Sequence, residues 1–489
     1  MAAPFAPMCA RWTDALPWCR FRRGTVARRA MMDTVITNGI VVTGTDSYEA
    51  DIGIEKGKIA ALGRDLEGTE TIDAQGNYVF PGAIDMHTHF ELPFMGTVSA
   101  DDFETGSIAA AFGGTTTFID FAIQGEGESL HQALETWMNR AKGKAAIDYG
   151  FHMAIGDMTD EVMNVEMAEM VDQGITSFKV FMAYKGTFMV DDETLFKSLI
   201  KAKELGALIM VHAENGDVLH YLINKHVAEG KKEPIWHARS HPPEAEAEAA
   251  GRAIILARLA SAPIYIVHLT AAEALEKVKE ARDKGQTVLA ETCPQYLFFN
   301  TRHYELPNFE GAKYVMSPPL RDKGNEEALW QGLISGHLQV VATDHCPFNF
   351  VGQKDMGRDD FSQIPNGMPG VETRVPLIYH FGVNEGRFSV NKFVELVSTN
   401  PARIYGLAPQ KGTISIGADA DLVIFDPQKE VRLSVENLHM NVDHSPYDHI
   451  TVKGYPILTM QRGKIIVRDG QFLGEVGAGQ FLRRSRIRA

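Results

Sequence analysis

From Tyr78 onward the chain repeats one pattern: a short apolar run rich in β-branched and aromatic residues, a polar loop, then a stretch with helical periodicity. The runs are VFPGAIDMH, TTTFIDFA, DYGFHMAI, ITSFKVFMAY, ALIMVHAE, PIYIVHLT, TVLAETCP and LQVVATDH, eight in all. Between them lie segments such as VMNVEMAEMVDQG, DDETLFKSLIKAKELG and AAEALEKVKEARDKG, each ending at a glycine, the residue that most readily takes the left-handed backbone of a helix C-cap. Eight alternating units predict an α/β fold, a (β/α)8 (TIM) barrel, over residues 78–408. Its last part, from about residue 350 to 407, is expected to supply a long substrate-facing loop and terminal helices.

Two β-rich pieces lie outside the repeats. Residues 33–77 and 409–472 carry short alternating runs broken by Asn-Gly, Lys-Gly and Asp-Gly turns. Neither is large enough to fold alone, so they predict one discontinuous β-sandwich built from both chain ends. The tail, residues 473–489, contains FLRRSRIRA and reads as a solvated or inter-subunit arm. Residues 1–30 differ from everything after them, with Arg11, Arg20, Arg22, Arg23, Arg28 and Arg29 against the single acid Asp14. This leader resembles a transit peptide, but it lacks serine and plausible starts stand at Met31 and Met32, which favours an upstream start codon or added leader. It is left out of the fold.

Composition narrows the partners. The formal net charge of −15 argues against nucleic acid and anionic membrane surfaces, both of which present negative charge. No run of eighteen apolar residues is present, so no membrane-spanning helix is expected. Only four cysteines occur, Cys9, Cys19, Cys293 and Cys346, a usage that fits the reduced cytosol.

The polar residues of the eight runs gather at one end. His87, His89, Lys179, His212, His268 and Asp344 each close or follow a run, on five different strands, where barrels assemble their chemistry. A lone histidine closing a strand is more often a hydrogen-bonded structural residue than a ligand, and a lone aspartate before a loop is more often a helix N-cap. Six at one rim are hard to explain separately, because unpaired buried polar groups are costly. His-x-His on a strand puts both rings on one face, within reach of one metal ion. Four histidines and a carboxylate exceed a closed tetrahedral site and point to two divalent ions, about 3.5–4 Å apart. Lys179 reads either as a lysine extending to the rim or as an amine that takes up carbon dioxide, giving a carbamate able to bridge both ions.

The motifs DMHTHF, FKVFMAYKG, VHAEN, VHLT, SPPLR, ATDHCPF and PNGMPG together resemble those of dihydropyrimidinases and D-hydantoinases of the amidohydrolase superfamily, from about Asp33 to Phe481. The resemblance implies two zinc ions, His87, His89 and Asp344 on one and His212 and His268 on the other, bridged by N6-carboxylated Lys179 and a hydroxide. It implies Asp344 as proton shuttle, Tyr184 as donor to the developing oxyanion, and Ser317 and Asn366 holding the cyclic amide through main-chain groups. The substrate implied is a small cyclic amide: 5,6-dihydrouracil or dihydrothymine, opened to an N-carbamoyl-β-amino acid, with hydantoins as secondary substrates. The family is usually tetrameric, which implies a homotetramer, and the cysteine usage implies a cytoplasmic one. His345, Cys346 and Thr292 read as packing or supporting residues. Among related activities, a dihydroorotase needs a cation for its substrate's carboxylate, whereas Phe90 and Glu91 follow His89 here. An allantoinase is the nearer alternative, against which FMAYKG with Tyr184 favours the dihydropyrimidinase type. A collapsin-response-mediator-like interaction protein is the non-catalytic alternative, and such proteins have lost metal ligands that this chain retains.

Overall fold

The computed structural model describes residues 31–487, so the arginine-rich leader, with Cys9 and Cys19, lies outside the described residues. Eight parallel strands form one sheet in chain order: β1 (Ala83–Thr88), β2 (Thr115–Ile123), β3 (Asp148–Ala154), β4 (Ser177–Phe181), β5 (Leu208–His212), β6 (Ile264–Ile266), β7 (Val288–Thr292) and β8 (Val340–Val341). Six lie within one of the eight predicted runs, and β1 and β2 each extend one residue past theirs. The strands are buried on both faces, as parallel strands covered by helices must be. Side chains that point inward, Ile84, Met86, Phe121, Met210, Tyr265 and Val340 among them, fill the interior as a packed core. The helix Asp192–Leu205 shows the local logic: the Asp191 carboxylate accepts from Thr194 N at its start, and Gly206 ends it at φ 67°.

The ring closes between β1 and β8. Thr88 bridges His345 in parallel, His89 N donates to His345 O at 2.8 Å, and His345 N donates to His87 O at 3.4 Å. Asp85 on β1 accepts from Thr343 N (3.2 Å) and Thr343 Oγ1 (2.7 Å) just after β8. Arg374 is fully buried under this seam; its Nη1 donates to Ile84 O and Val341 O and its Nη2 to Thr115 Oγ1, with Nε 3.7 Å from Asp85 Oδ2. A buried guanidinium is tolerable here because its Nη groups find acceptors and the Asp85 carboxylate stands beside its Nε.

Two sheets flank the barrel. One has four strands, from Met32–Thr37, Asp51–Glu55, Lys58–Gly63 and Gly68–Asp73. The other has seven and mixes the chain ends, Ile40–Val42, Ser47–Glu49 and Tyr78–Pro81 lying with Leu422–Arg432, Thr451–Gln461, Lys464–Arg468 and Gln471–Phe472. Ile36, Ile54 and Ile72 share a core with Leu422, Ile424 and Met460. One boundary differs from the sequence expectation. Tyr78–Pro81, assigned to the barrel's first run, pairs instead with Leu422–Arg432 and Ile40–Val42 in the outer sheet. The apolar run is continuous, so its composition does not show that the chain changes sheet at Gly82. There a side chain would strike Thr116.

The C-terminal tail also differs from expectation: it is docked on its own barrel. Leu482 N donates to Tyr149 O, Arg484 N to Gly174 O, Ser485 N to Gly406 O and Ile487 N to Gly206 O, a path across the end of the barrel opposite the rim that carries His87 and Asp344. Phe481 packs on Tyr149 and Phe151, and Leu482 joins the interior cluster. Arg484 is 4% exposed and donates to Ser177 Oγ (2.8 Å) and Phe151 O (2.5 Å). The arginine-rich sequence looks solvated, but one of its guanidinium groups finds acceptors at the strand starts. Arg484→Ala should therefore lower unfolding stability by about 2–4 kcal/mol, leaving buried acceptors unpaired and a void. Arg486→Ala, at an exposed arginine paired with Asp172, should leave the denaturant midpoint nearly unchanged.

Candidate metal centre

At the C-terminal mouth of the barrel the six predicted residues converge. His87 and His89 come from the end of β1, Lys179 from β4, His212 from β5, His268 from just past β6 and Asp344 from just past β8. His268 and Asp344 stand at φ 38° and 52°, in a left-handed region unfavourable for residues with a Cβ, and Tyr184 at 64°. Such backbone costs about 1–3 kcal/mol per residue and persists where surrounding packing holds it.

The donor atoms fall into two groups. His87 Nε2 and His89 Nε2 each lie 3.1 Å from Asp344 Oδ1, and one atom from each of these three residues fits within 4.8 Å of the others. His212 Nδ1 lies 3.1 Å from His268 Nε2. Lys179 Nζ stands 3.2 Å from His87 Nε2, and the His87 and His268 ring centres are 5.4 Å apart, so the groups adjoin with the lysine among them.

Two buried carboxylates decide which nitrogen each ring offers. His87 Nδ1 is 2.5 Å from Glu291 Oε1, and Glu291 Oε2 accepts from Tyr265 OH at 2.8 Å. His212 Nε2 is 2.9 Å from Glu214 Oε2. An ionised carboxylate only accepts, so the facing ring nitrogen carries the hydrogen and the other keeps its lone pair. His87 thus presents Nε2 and His212 presents Nδ1, both toward the centre. Although burial alone would raise its pKa, Glu214 is held ionised, at about 2, by His241, His212 and Arg321. Sequence reading missed Glu291 and assigned no role to Glu214; a glutamate inside the apolar run TVLAETCP was the available signal.

Electrostatics suit cations. Burial would raise the Asp344 carboxyl, yet His87 and His89 hold it well below the usual carboxylate range. Burial pulls Lys179 down to about 8 against the opposing pull of Asp344 and Glu291, so a neutral amine is accessible near neutrality. Lone pairs from four imidazoles and one carboxylate facing a common space would repel unless a cation lay between them. The donor set therefore fits two divalent ions, with borderline nitrogen and oxygen ligands of the kind zinc takes.

A cavity of about 380 Å³ opens over these atoms, its walls including Leu92, Phe94, Phe188 and Tyr184. The Tyr184 ring centre is 5.2 Å from that of His212, and burial with the nearby Glu214 charge pushes its phenol well up, so it stays a neutral donor. Ser317 and Asn366 face the same cavity from separate loops, with Asn366 Nδ2 3.4 Å from Ser317 Oγ. His345 is occupied elsewhere, with Asp101 on Nε2 and the Gly370 and Val371 N–H groups on Nδ1, and Thr292 Oγ1 donates to Leu269 O. Cys346 is buried and lines the cavity wall.

Comparison with known proteins agrees with this geometry. Residues 78–466 match the model of the amidohydrolase family, and residues 21–79 match that of the urease alpha-subunit N-terminal domain. A D-hydantoinase of Geobacillus stearothermophilus is 54% identical over 94% of this chain and 98% of its own length. One from Ralstonia pickettii is 51% identical over 94% and 100%. The crystal structure of dihydropyrimidinase from Brevibacillus agri superposes with a TM-score of 0.92 at 53% identity, covering 93% of this chain and 99% of that one. The chain belongs to the amidohydrolase family, in its group of D-hydantoinases and dihydropyrimidinases.

Proposed function

We propose that this cyclic amide hydrolase opens 5,6-dihydropyrimidine rings, dihydrouracil and dihydrothymine, to N-carbamoyl-β-amino acids, and hydantoins to N-carbamoyl-α-amino acids. The observation that carries this reading is the meeting of two groups of metal donors, a lowered-pKa lysine and a neutral phenol around one cavity. His87, His89 and Asp344 would hold one zinc ion, and His212 and His268 the other. Lys179 would span both after its neutral Nζ attacks carbon dioxide, forming an N–C bond and releasing one amine proton. Bound zinc would supply the lowering of a water's pKa toward neutrality and the polarisation of a ring carbonyl.

The chain's own groups do the rest. Main-chain groups at Ser317 and Asn366 would orient the ring amide. Asp344 would accept the proton of the attacking water and deliver it to the leaving ring nitrogen as the C–N bond breaks. Tyr184 would donate to the oxygen on which negative charge develops. The names of the relatives, D-hydantoinases at 54% and 51% identity, support hydantoins as substrates beside dihydropyrimidines. Among the described residues no helix is long and apolar enough to cross a membrane, and a cytoplasmic homotetramer, as in the resembled family, is the form we infer.

Hydrolysis of dihydrouracil, a monosubstituted hydantoin and allantoin, measured side by side, tests the reading. Ring opening of the first two and its loss on chelation are expected; preference for allantoin, or turnover in metal-free protein, would overturn it. Lys179→Arg keeps a cation that cannot be carboxylated and should abolish both zinc binding in pairs and activity. Lys179→Ala should regain some turnover when acetate or propionate is added with zinc. Tyr184→Phe removes only a hydroxyl, so metal content should persist while kcat falls by about 10²- to 10³-fold.

A further inference from the structure

Lys354, in a short turn, Lys354–Gly357, ten residues beyond Asp344, is itself fully buried. Among the described residues no carboxylate pairs with it. Its Nζ donates to two main-chain carbonyls, Val315 O at 2.6 Å and Gly367 O at 2.7 Å, and sits 5.9 Å from the Phe348 ring centre. An uncompensated buried ammonium is expensive, and burial brings this one down to about 7. Its clamp does not depend on the charge, because a neutral amine still carries two hydrogens for the two carbonyls.

The two carbonyls locate its purpose. Val315 is two residues before Ser317, and Gly367 directly follows Asn366. The same strands of backbone are joined once more, Gly367 N donating to Val315 O at 3.0 Å. Gly367 has φ 155°, and any side chain there would collide with the Cys346 carbonyl, so this segment is packed too closely to settle at another spacing. Ser317 and Asn366 come from loops almost fifty residues apart, and the Lys354 amine lies under both.

We propose that Lys354 is a positioning residue for substrate: by holding Val315 and Gly367 on one nitrogen it sets the gap between the Ser317 and Asn366 main-chain groups, and so the fit of the ring amide. This rests on the role given to Ser317 and Asn366 above. Lys354→Met keeps much of the stem and removes every donor. In the zinc-loaded enzyme KM for dihydrouracil should rise about tenfold or more, with kcat within about threefold and bound zinc unchanged. A purely structural lysine would instead lower the melting temperature and leave KM as it was, and that result would overturn the proposal. If Lys354→Met does not fold, Lys354→Gln, with a shorter amide able to reach one carbonyl, should give a smaller rise in KM; an unchanged KM there would equally count against the clamp. A crystal structure of the folded variant reads the clamp without turnover. A wider separation of Ser317 from Asn366 supports it, and an unaltered separation refutes it. Should the parent protein open no cyclic amide, the functional reading fails, and this structural comparison alone decides the clamp.

Discussion

The seam between β1 and β8 is the constraint on which the site depends. Asp85 holding Thr343, with Arg374 beneath, fastens the first barrel strand to the last. That one closure sets His87 and His89 against Asp344, residues more than 250 positions apart in the chain, and an irregularity in the pairing of β1 with β2 between Asp85 and Thr88 lets His87 face the mouth although its neighbour Met86 also lies inside. Investing a buried arginine and a buried aspartate there makes sense physically, since the partners they do find come together only in the correct closure.

Around the mouth, polar groups are supported in layers. Glu291 and Glu214 select opposite nitrogens on His87 and His212, which suits two different directions of approach to a common centre. Glu214 is itself within a buried network: Arg321 donates to Glu246, and Glu246 accepts from Thr270 N and the Ala271 N–H, next to His268 in the chain. The left-handed backbone at His268 and Asp344 is the cost of aiming side chains from beyond the strand ends; the bonds of this network hold the chain just after His268, and those of Thr343 and His345 across the seam hold it on either side of Asp344. The far side of the cavity follows the same rule, with Lys354 fastening the backbone beside Ser317 to that beside Asn366.

Much was legible in the sequence, for reasons of locality. Alternation of β and helical patterns is a property of short windows, and all eight barrel strands start in the runs it marks. The residues of the candidate centre stood out because histidine, lysine and aspartate at the ends of apolar runs need a reason to be there. His212 and His268 were found together by that logic, and so was Asp344.

What the tertiary structure alone decided involves distances between segments remote in sequence. Nothing local in FLRRSRIRA distinguishes Arg484, which is buried at the foot of β3 and β4, from Arg486, which is exposed. Nothing local in GQKDMG shows that Lys354 ends between two carbonyls from other loops. The turn of the chain from outer sheet to barrel at Gly82 is hidden in an unbroken apolar run. The sequence by itself determined which elements form and which residue types their ends carry, because propensity and periodicity act over a few residues. Which nitrogen of a histidine faces the centre, and which cation is buried, were decided only once folding brought distant acceptors within hydrogen-bond reach.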